Sequence, residues 1–395
     1  MGNGAGCRDP TPSLPSSSFS LPVSDGSAFP HSAPQRGAHP PFPIPTPRHL
    51  TDWSDLPDGV WDAALARALV HGAAPRWTDA ARHRALGLLL FNPSLRTRVS
   101  MEMAAAHLGA IATVLTPGQG TWNLEWRDGV RMDGDRAEHV REAVGVLSSY
   151  VDALGVRTFA SLTDAAADRA DAAFRAVVGA SGVPVVNLES ARWHPCQALA
   201  DAAALTEHTS GETAGRRFVL TWAPHPNPLP RAVPNSAVTM AARLGMDVVV
   251  ARPDGFALDA DVMDLARGLA TRSGGSVTET SDQRAALDGA HVVYAKAWAG
   301  EGVYADRAAE AADRAAHAGW TVDAPAMDAT EGGVFMHCLP VRRGVVVADD
   351  VLDGPRTLHQ RQAAYRLHAQ KAVLEWVWEL DSGSGERPAA SGDSR

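Results

Sequence analysis

The residues whose types most clearly suggest a binding or catalytic role lie in the run Ser94-Leu95-Arg96-Thr97-Arg98. It follows a short apolar run, 86–91, that is typical of a buried parallel strand, and it opens a stretch whose apolar residues repeat with helical spacing. Backbone N–H groups and the macrodipole at the start of a helix favour an anion, and arginine adds paired donors that match a phosphate. The run therefore predicts a phosphate site, although alone it would also fit a capped helix with two exposed arginines.

Strand-like and helix-like segments alternate over 86–188 and again from about His194 to Tyr294. Such alternation predicts an α/β fold with two doubly wound parallel-sheet lobes, and ligands of these sheets bind beyond the carboxyl ends of the strands. Four residues come at or just after predicted strand ends: Arg157, His194, Lys296 and Cys338. We therefore expect one active-site cleft between the lobes.

Three further segments have a predicted structure. A helix is expected over 137–150, and the amphipathic run 363–380 predicts a C-terminal helix that packs back on the first lobe. The segment from Trp222 to Pro230 contains too many prolines for a helix or a central strand, so it predicts a stiff loop.

The composition excludes several classes of protein. The chain has 395 residues, of which 45% are hydrophobic and 21% charged, and its net charge is −9. With no basic stripe among aromatic residues, we expect no nucleic-acid partner. Its 3 cysteines lie far apart, which argues against a disulfide framework, and no apolar run is long enough to span a membrane.

The two ends of the chain differ from the rest. Residues 1–47 are rich in Pro, Ser and Gly and predict a disordered tail, and 382–395 predict a second one. The first tail lacks the apolar core of a signal peptide, so a cytoplasmic protein is expected. A misassigned start codon would explain this tail equally well.

Four segments follow the phosphate motif in a recognisable order: Gly155-Val156-Arg157, His194-Pro195-Cys196-Gln197, His337-Cys338-Leu339-Pro340 and Arg366. Together they resemble the aspartate/ornithine carbamoyltransferase superfamily, and within it the N-acylornithine carbamoyltransferases. The resemblance runs from about residue 50 to 380. It implies transfer of a carbamoyl group from carbamoyl phosphate to an amine, as one step of arginine biosynthesis.

The resemblance also implies roles for individual residues. Thr97, Arg157 and His194 would be catalytic, because they would donate to the carbonyl oxygen as negative charge develops there. The residues that would bind carbamoyl phosphate are Ser94, Leu95, Arg96, Thr97, Trp122, Arg157, His194, Gln197, Cys338, Leu339 and Arg366. Those that would contact the acceptor are Glu189, Lys296, Arg342, Cys338, Leu339 and Ala137. The implied domains are 48–190 for carbamoyl phosphate and 191–358 for N-acylornithine, with 359–381 as the returning helix.

Several of these residues also have simpler interpretations. His194 could be an ordinary packed or surface histidine, but Pro195 places it at a helix start, where a neutral imidazole is expected. Cys338 could be a small buried hydrophobe, and we expect no covalent intermediate on it. Trp122 could pack locally, whereas in the similar acylornithine enzymes it enters the neighbouring subunit of a trimer. Lys296 could be a solvated surface lysine.

One charge separates the candidate acceptors. Enzymes acting on free ornithine carry an acid where this chain has Lys296, and a lysine would repel the α-ammonium group of ornithine. An acylated ornithine has no such charge and offers a carboxylate instead. Ala137, where the acetyl type has Glu, favours succinyl slightly over acetyl, as do Pro230 and Val346. The chain shows no metal-ligand spacing, so no metal or organic cofactor is expected. The alternatives are an ornithine carbamoyltransferase and a catalytically silent carbamoyl-phosphate-binding homologue.

Overall fold

The computed structural model describes residues 47–380. The two predicted disordered tails, 1–47 and 382–395, lie outside the described residues apart from Pro47.

The strands of this part of the chain are β1 (Ala85–Leu90), β2 (Ile111–Leu115), β3 (Leu124–Glu125), β4 (Glu138–His139), β5 (Ala153–Arg157), β6 (Val185–Glu189), β7 (Arg217–Trp222), β8 (Asp247–Ala251), β9 (Ser276–Thr280), β10 (Val292–Lys296) and β11 (Val334–Met336). The helices are α1 (Asp58–Ala73), α2 (Leu95–His107), α3 (Val140–Leu147), α4 (Ala165–Arg169), α5 (Ala172–Ala180), α6 (Pro195–His208), α7 (Ala232–Arg243), α8 (Ala260–Ser273), α9 (Gln283–Leu287), α10 (Arg307–Ala316), α11 (Ala324–Asp328), α12 (Asp349–Leu352) and α13 (His359–Val377).

Two parallel sheets form the two lobes, as predicted. The first has the strand order β2-β1-β5-β6 and the second β11-β10-β7-β8-β9. In the first sheet Leu90 pairs with Arg157, so β1 and β5 end side by side where the phosphate motif begins. In the second, Lys296 ends β10 beside Trp222 of β7. Central strands such as β5 and β10 are buried along their whole length, because helices cover both faces of each sheet.

The helix that starts near Ser94 is confirmed: Ser94 is the N-cap of α2, and its hydroxyl accepts from the Thr97 N–H at 3.2 Å. The helix predicted over 137–150 is wrong at its start. Glu138 and His139 pair with β3 as a short parallel strand, and α3 begins only at Val140, with His139 accepting from the Arg141 N–H.

Helix α6 lies in the apolar core that joins the lobes. Every residue from Pro195 to Leu205 is buried, and five of these eleven residues are alanines, so α1, α7 and α13 pack closely around the helix. This packing forces the polar residues of α6 into the interior, where they need hydrogen-bond partners. The C-terminal helix α13 also packs on α1 and α2, which confirms that it returns to the first lobe.

A half-buried ion pair between Arg67 and Glu375 holds α13 to α1 and gives the first prediction. Glu375 accepts from Arg67 Nε at 2.6 Å, from Arg67 Nη2 at 2.9 Å and pairs with His71 Nε2 at 3.0 Å. Burial opposes its charge, yet the hydrogen bonds from His71 and Arg67 lower the pKa of Glu375 from its ordinary 4.5 to about 2. Burial also lowers the pKa of His71, so Arg67 is the charged partner. Glu375→Gln should cost about 1–2 kcal/mol of unfolding free energy at pH 7.

The pH dependence of that cost follows from the lowered pKa. The ionised Glu375 contributes fully above pH 4.5 and its contribution disappears as the pH falls through 2, so wild type and variant should converge there. Urea unfolding of both proteins at pH 7, 4 and 2 measures this difference in unfolding free energy. The variant Glu379→Gln changes an exposed carboxylate just after α13 and serves as the control. Little effect on its unfolding free energy is expected.

Candidate active site

A cavity of about 480 Å³ opens between the lobes at the carboxyl ends of their strands. Most of the residues predicted for the site line it. The lining residues are Pro93, Ser94, Leu95, Arg96, Thr97, Arg157, Phe159, Glu189, His194, Gln197, His225, Leu229, Pro230, Val233, Lys296, Cys338, Leu339, Pro340 and Arg366. The topology explains the convergence, because parallel strands bring all their following loops to one edge.

Three guanidinium groups meet at the first-lobe end of the cavity. The Thr97 hydroxyl accepts from Arg366 Nη2 at 3.2 Å and from Arg157 Nη1 at 3.5 Å, and Arg96 lies one residue before Thr97 at the start of α2. Burial and, less strongly, repulsion from Arg157 lower the pKa of Arg96, and burial also lowers the pKa of Arg366. Concentrated positive charge of this kind favours a di-anionic group, so this end of the cavity suits a phosphate.

Donors without a protein partner lie beside this phosphate-suited end. The Nε atoms of Arg157 and Arg366 and the Nδ1 atom of His194 are buried and make no hydrogen bond to the protein. Burial and, less strongly, the charges of Arg366 and Arg157 hold the pKa of His194 well below its ordinary value. The imidazole is therefore neutral, as expected from the sequence, and can donate one N–H to a carbonyl oxygen.

Glu189 lies on the same side of the cavity as these donors. Its carboxylate is ion-paired with Arg157, and it lies 3.5 Å from His194 Nε2. The side chain is 12% exposed, so the pair is shielded from water. In this structure Glu189 lines the cavity beside Arg157 and His194, and its contact to the acceptor stays a prediction.

Gln197 and Arg366 are held by a buried network that the sequence did not indicate. Arg366 Nη1 donates to Gln197 Oε1 at 2.8 Å, and Gln197 Nε2 donates to Asp201 Oδ1 at 2.6 Å. Burial raises the pKa of Asp201 to about 7, against the opposing effect of its hydrogen bonds from Gln197, Gln362 and Tyr294. The available signal was the spacing: Asp201 follows Gln197 by one helical turn on α6.

The second-lobe end of the cavity carries Lys296 and His225. Lys296 is 9% exposed, and its Nζ donates to the Ala297 carbonyl at 3.0 Å. Arg342 does not line the cavity itself, but its Nε donates to His225 Nε2 at 2.9 Å. His225 was missed by the sequence reasoning, although it belongs to the proline-rich loop that was predicted to be stiff. The positive charges of Lys296 and Arg342 suit a carboxylate, whereas His225, which accepts from Arg342, is neutral.

The floor of the cavity is the segment after β11. Leu339 has a left-handed backbone with φ of 58°, and its N–H donates to His337 Nδ1 at 2.8 Å. Burial raises the pKa of the Cys338 thiol to about 11, which leaves almost no thiolate at neutral pH. That environment agrees with the expectation that Cys338 forms no covalent intermediate.

Besides Arg342, two predicted site residues lie outside this cavity, Trp122 and Ala137. Both are exposed on the segment between β2 and α3, and Trp122 Nε1 donates to Glu138 Oε2 at 2.7 Å. Trp122 is 59% exposed, which is unusual for so large an aromatic side chain. An apolar stripe of α2 is also exposed, formed by Leu95, Val99 and Met103.

Residues 47–380 contain no group of three or more His, Cys, Asp and Glu side chains that could hold a metal ion. Among the helices within the same range, none is both long and apolar enough to span a membrane.

Comparison with known proteins supports one family throughout. Residues 48–207 match the family model described as aspartate/ornithine carbamoyltransferase, carbamoyl-P binding domain, and 231–377 match the Asp/Orn binding domain of the same family. An N-acetylornithine carbamoyltransferase of Xanthomonas campestris pv. campestris is 40% identical over 329 residues, which cover 83% of this chain and 96% of that protein.

A second relative and a solved structure agree with these matches. An N-succinylornithine carbamoyltransferase of Bacteroides thetaiotaomicron is 37% identical over 329 residues, covering 81% of this chain and 96% of that protein. The crystal structure of an acetylornithine transcarbamylase complexed with acetylcitrulline superposes with a TM-score of 0.81 at 40% identity, covering 84% of this chain and 99% of that one.

Proposed function

The chain belongs to the aspartate/ornithine carbamoyltransferase family, and from this we propose that it carbamoylates the side-chain amine of an N-acyl-L-ornithine. The substrates are carbamoyl phosphate and the acylated amino acid, and the products are N-acyl-L-citrulline and phosphate, as a step of arginine biosynthesis. The observation that carries the proposal is one cavity with Arg96, Arg157 and Arg366 at one end and Lys296 at the other.

Carbamoyl phosphate would bind at the end formed by the first lobe. Arg96, Arg366 and the N–H groups at the start of α2 hold its phosphate, and Ser94 and Leu95 complete the cradle. Arg157, His194 and Thr97 donate to its carbonyl oxygen, which polarises the carbonyl and stabilises the tetrahedral intermediate. Each such donor contributes about 3–4 kcal/mol to lowering the barrier.

The reaction then needs an uncharged amine next to that carbonyl. Its nitrogen forms a bond to the carbonyl carbon, the bond from that carbon to the phosphate oxygen breaks, and the departing phosphate takes up the proton that the nitrogen loses. The carbonyl oxygens of Cys338 and Leu339 orient the amine. Holding both substrates in one cavity away from bulk water supplies much of the remaining acceleration.

Lys296 and Arg342 favour an acylated acceptor, with His225 held between Arg342 and the cavity. A cation about 4 Å from the α-ammonium group of free ornithine would cost roughly 1–4 kcal/mol, depending on solvation. Acylation removes that charge and leaves the α-carboxylate as the matching group. Succinyl is slightly favoured over acetyl because Ala137 adds no negative charge beside a succinyl carboxylate.

An active site shared between subunits would account for Trp122 and Ala137, which lie outside the cavity. We propose a homotrimer in which Trp122, with Ala137 on the same exposed segment, enters the cavity of the neighbouring subunit. The exposed apolar stripe of α2 supports an interface nearby. We further propose a cytoplasmic enzyme with no cofactor, whose domains are 48–190 and 191–358 with 359–381 as the returning helix.

The test is colorimetric detection of the citrulline-type product from carbamoyl phosphate and three acceptors: N-succinylornithine, N-acetylornithine and ornithine. Activity with an acylated acceptor and none with ornithine is expected. Activity with ornithine alone would contradict the charge argument at Lys296. Silence with all three, from folded protein, would favour the silent binding homologue.

Ala137→Glu provides the second prediction. A carboxylate at this position would repel the succinyl carboxylate, so kcat/KM for N-succinylornithine should fall about tenfold or more, while that for N-acetylornithine changes less than threefold. Ala137→Gln, of the same size without the charge, is the matched control. Equal losses for both acceptors in the Glu variant would contradict a role in acyl selection.

A further inference from the structure

A buried carboxylate behind the cavity connects both lobes of the site. Asp201 of α6 is 1% exposed and does not line the cavity. Its Oδ1 accepts from Gln197 Nε2 at 2.6 Å and from Gln362 Nε2 at 2.7 Å, and its Oδ2 accepts from the Tyr294 hydroxyl at 2.9 Å. One side chain thus receives hydrogen bonds from α6, α13 and β10.

These bonds leave Gln197 a single orientation of its amide. Its Nε2 faces an oxygen of Asp201, and its Oε1 faces Nη1 of Arg366, which can only donate. Turning the amide over would set its NH₂ group against a guanidinium and its oxygen against a carboxylate. The guanidinium end therefore excludes the flipped form, and the Asp201 end excludes it while that carboxyl is ionised.

We propose that Asp201 is a positioning residue that fixes the Gln197 amide, and that this orientation makes the site prefer a carbamoyl group to an acetyl group. The inference rests on the proposed use of carbamoyl phosphate. Gln197 lines the cavity, and its oxygen has two lone pairs, of which Arg366 occupies one. The second accepts an N–H of the carbamoyl NH₂ group, whereas a methyl group leaves it unpaired.

The Asp201 carboxylate is also linked, through Gln362, to the segment at the acceptor end of the cavity. The Gln362 side chain that donates to Asp201 also accepts, through Oε1, from the His337 N–H at 3.0 Å. His337 begins the segment that contains Cys338 and Leu339. Gln362 and Arg366 are one turn apart on α13. The same helix therefore holds Gln197, through Arg366, and the floor of the cavity, through Gln362.

Two stable ligands that differ only in the recognised group test this role. Phosphonoacetamide carries NH₂ where acetonylphosphonate carries CH₃, and both keep the carbonyl and the phosphonate. Calorimetry on the full-length protein gives the ratio of their affinities. Wild type should favour the amide about tenfold or more, because the ketone leaves the second lone pair of the buried Gln197 oxygen without a donor.

Asp201→Leu leaves only Arg366 to hold the Gln197 amide, so it should reduce that ratio at least threefold, with less than threefold change in affinity for acetonylphosphonate. Asp201→Asn keeps one carbonyl oxygen for Gln197 and Gln362 and can donate to the Tyr294 oxygen, so it should retain the wild-type ratio. Tyr294→Phe removes the bond to the other carboxylate oxygen and should also retain it. If the leucine variant does not fold, Asp201→Ala is measured in the same way.

The outcomes separate this inference from the proposed function. A wild-type protein that binds neither ligand would overturn the proposed function itself. A folded Asp201→Leu protein that keeps the preference, or that loses affinity for both ligands equally, would overturn the positioning role alone.

Discussion

Replacing Arg157 by methionine is expected to lower kcat about 10³-fold. The guanidinium is a proposed donor to the carbonyl oxygen, and losing one such donor costs about 10²–10³ in rate. The substitution also leaves the partly buried carboxylate of Glu189 without its ion pair, 3.5 Å from His194. An unpaired negative charge there opposes the negative charge that develops on the substrate oxygen. Steady-state kinetics with saturating carbamoyl phosphate measures the effect.

The double variant Arg157→Met, Glu189→Gln separates the two causes. Removing the unpaired Glu189 carboxylate should raise kcat about tenfold. The rest of the loss should remain, because the Arg157 donor is still absent. The single variant Glu189→Gln is the control, since it leaves the Arg157 donor in place. A folded Arg157→Met protein with kcat within tenfold of wild type would contradict the assignment of this arginine to the reacting carbonyl.

The sequence was most informative where local chemistry decides the structure. Ser94 was identifiable as a helix cap because the capping bond spans three residues, and the buried strand before it follows from its unbroken apolar run. Strand β9 escaped notice, since as an edge strand it exposes most of its side chains and lacks an apolar pattern. Helix α1 was missed too, because its many alanines weaken the contrast between its faces.

In the candidate site, too, the sequence predicted what local patterns determine and missed what depends on distant residues. Residues at strand ends, such as Arg157 and Lys296, could be grouped because parallel topology brings strand ends together. Asp201 could not, because its role depends on Tyr294 and Gln362, which are 93 and 161 residues away in sequence. The ion pair of Glu189 with Arg157 likewise depends on the register of two neighbouring strands, which no short motif specifies.

Lys296 is expected to control the choice of acceptor. Lys296→Met should raise the KM for the acylated acceptor about 10²-fold, because the buried ammonium that pairs with its carboxylate is lost. The KM for carbamoyl phosphate should change less than threefold. Lys296→Glu should go further: it repels the carboxylate and attracts an α-ammonium group, so the preference for acylated over free ornithine falls about 100-fold or more.

The composition of the chain gives this prediction a direct control. The sequence contains only two lysines, Lys296 and Lys371. Lys371 is buried on α13, where its Nζ donates to the Arg76 carbonyl at 2.6 Å, and it does not line the cavity. Lys371→Met should therefore destabilise the fold and leave the KM for the acceptor unchanged.

Lysine labelled with ¹³C at Cε extends the same comparison to binding. The spectrum should show two side-chain signals, which the two methionine variants assign by their absence. Addition of N-succinylornithine in the presence of phosphate should shift the Lys296 signal and leave that of Lys371 in place. Equal behaviour of the two signals, together with an unchanged acceptor KM in Lys296→Met, would mean that another cation holds the carboxylate, and Arg342 with His225 would be the first place to test.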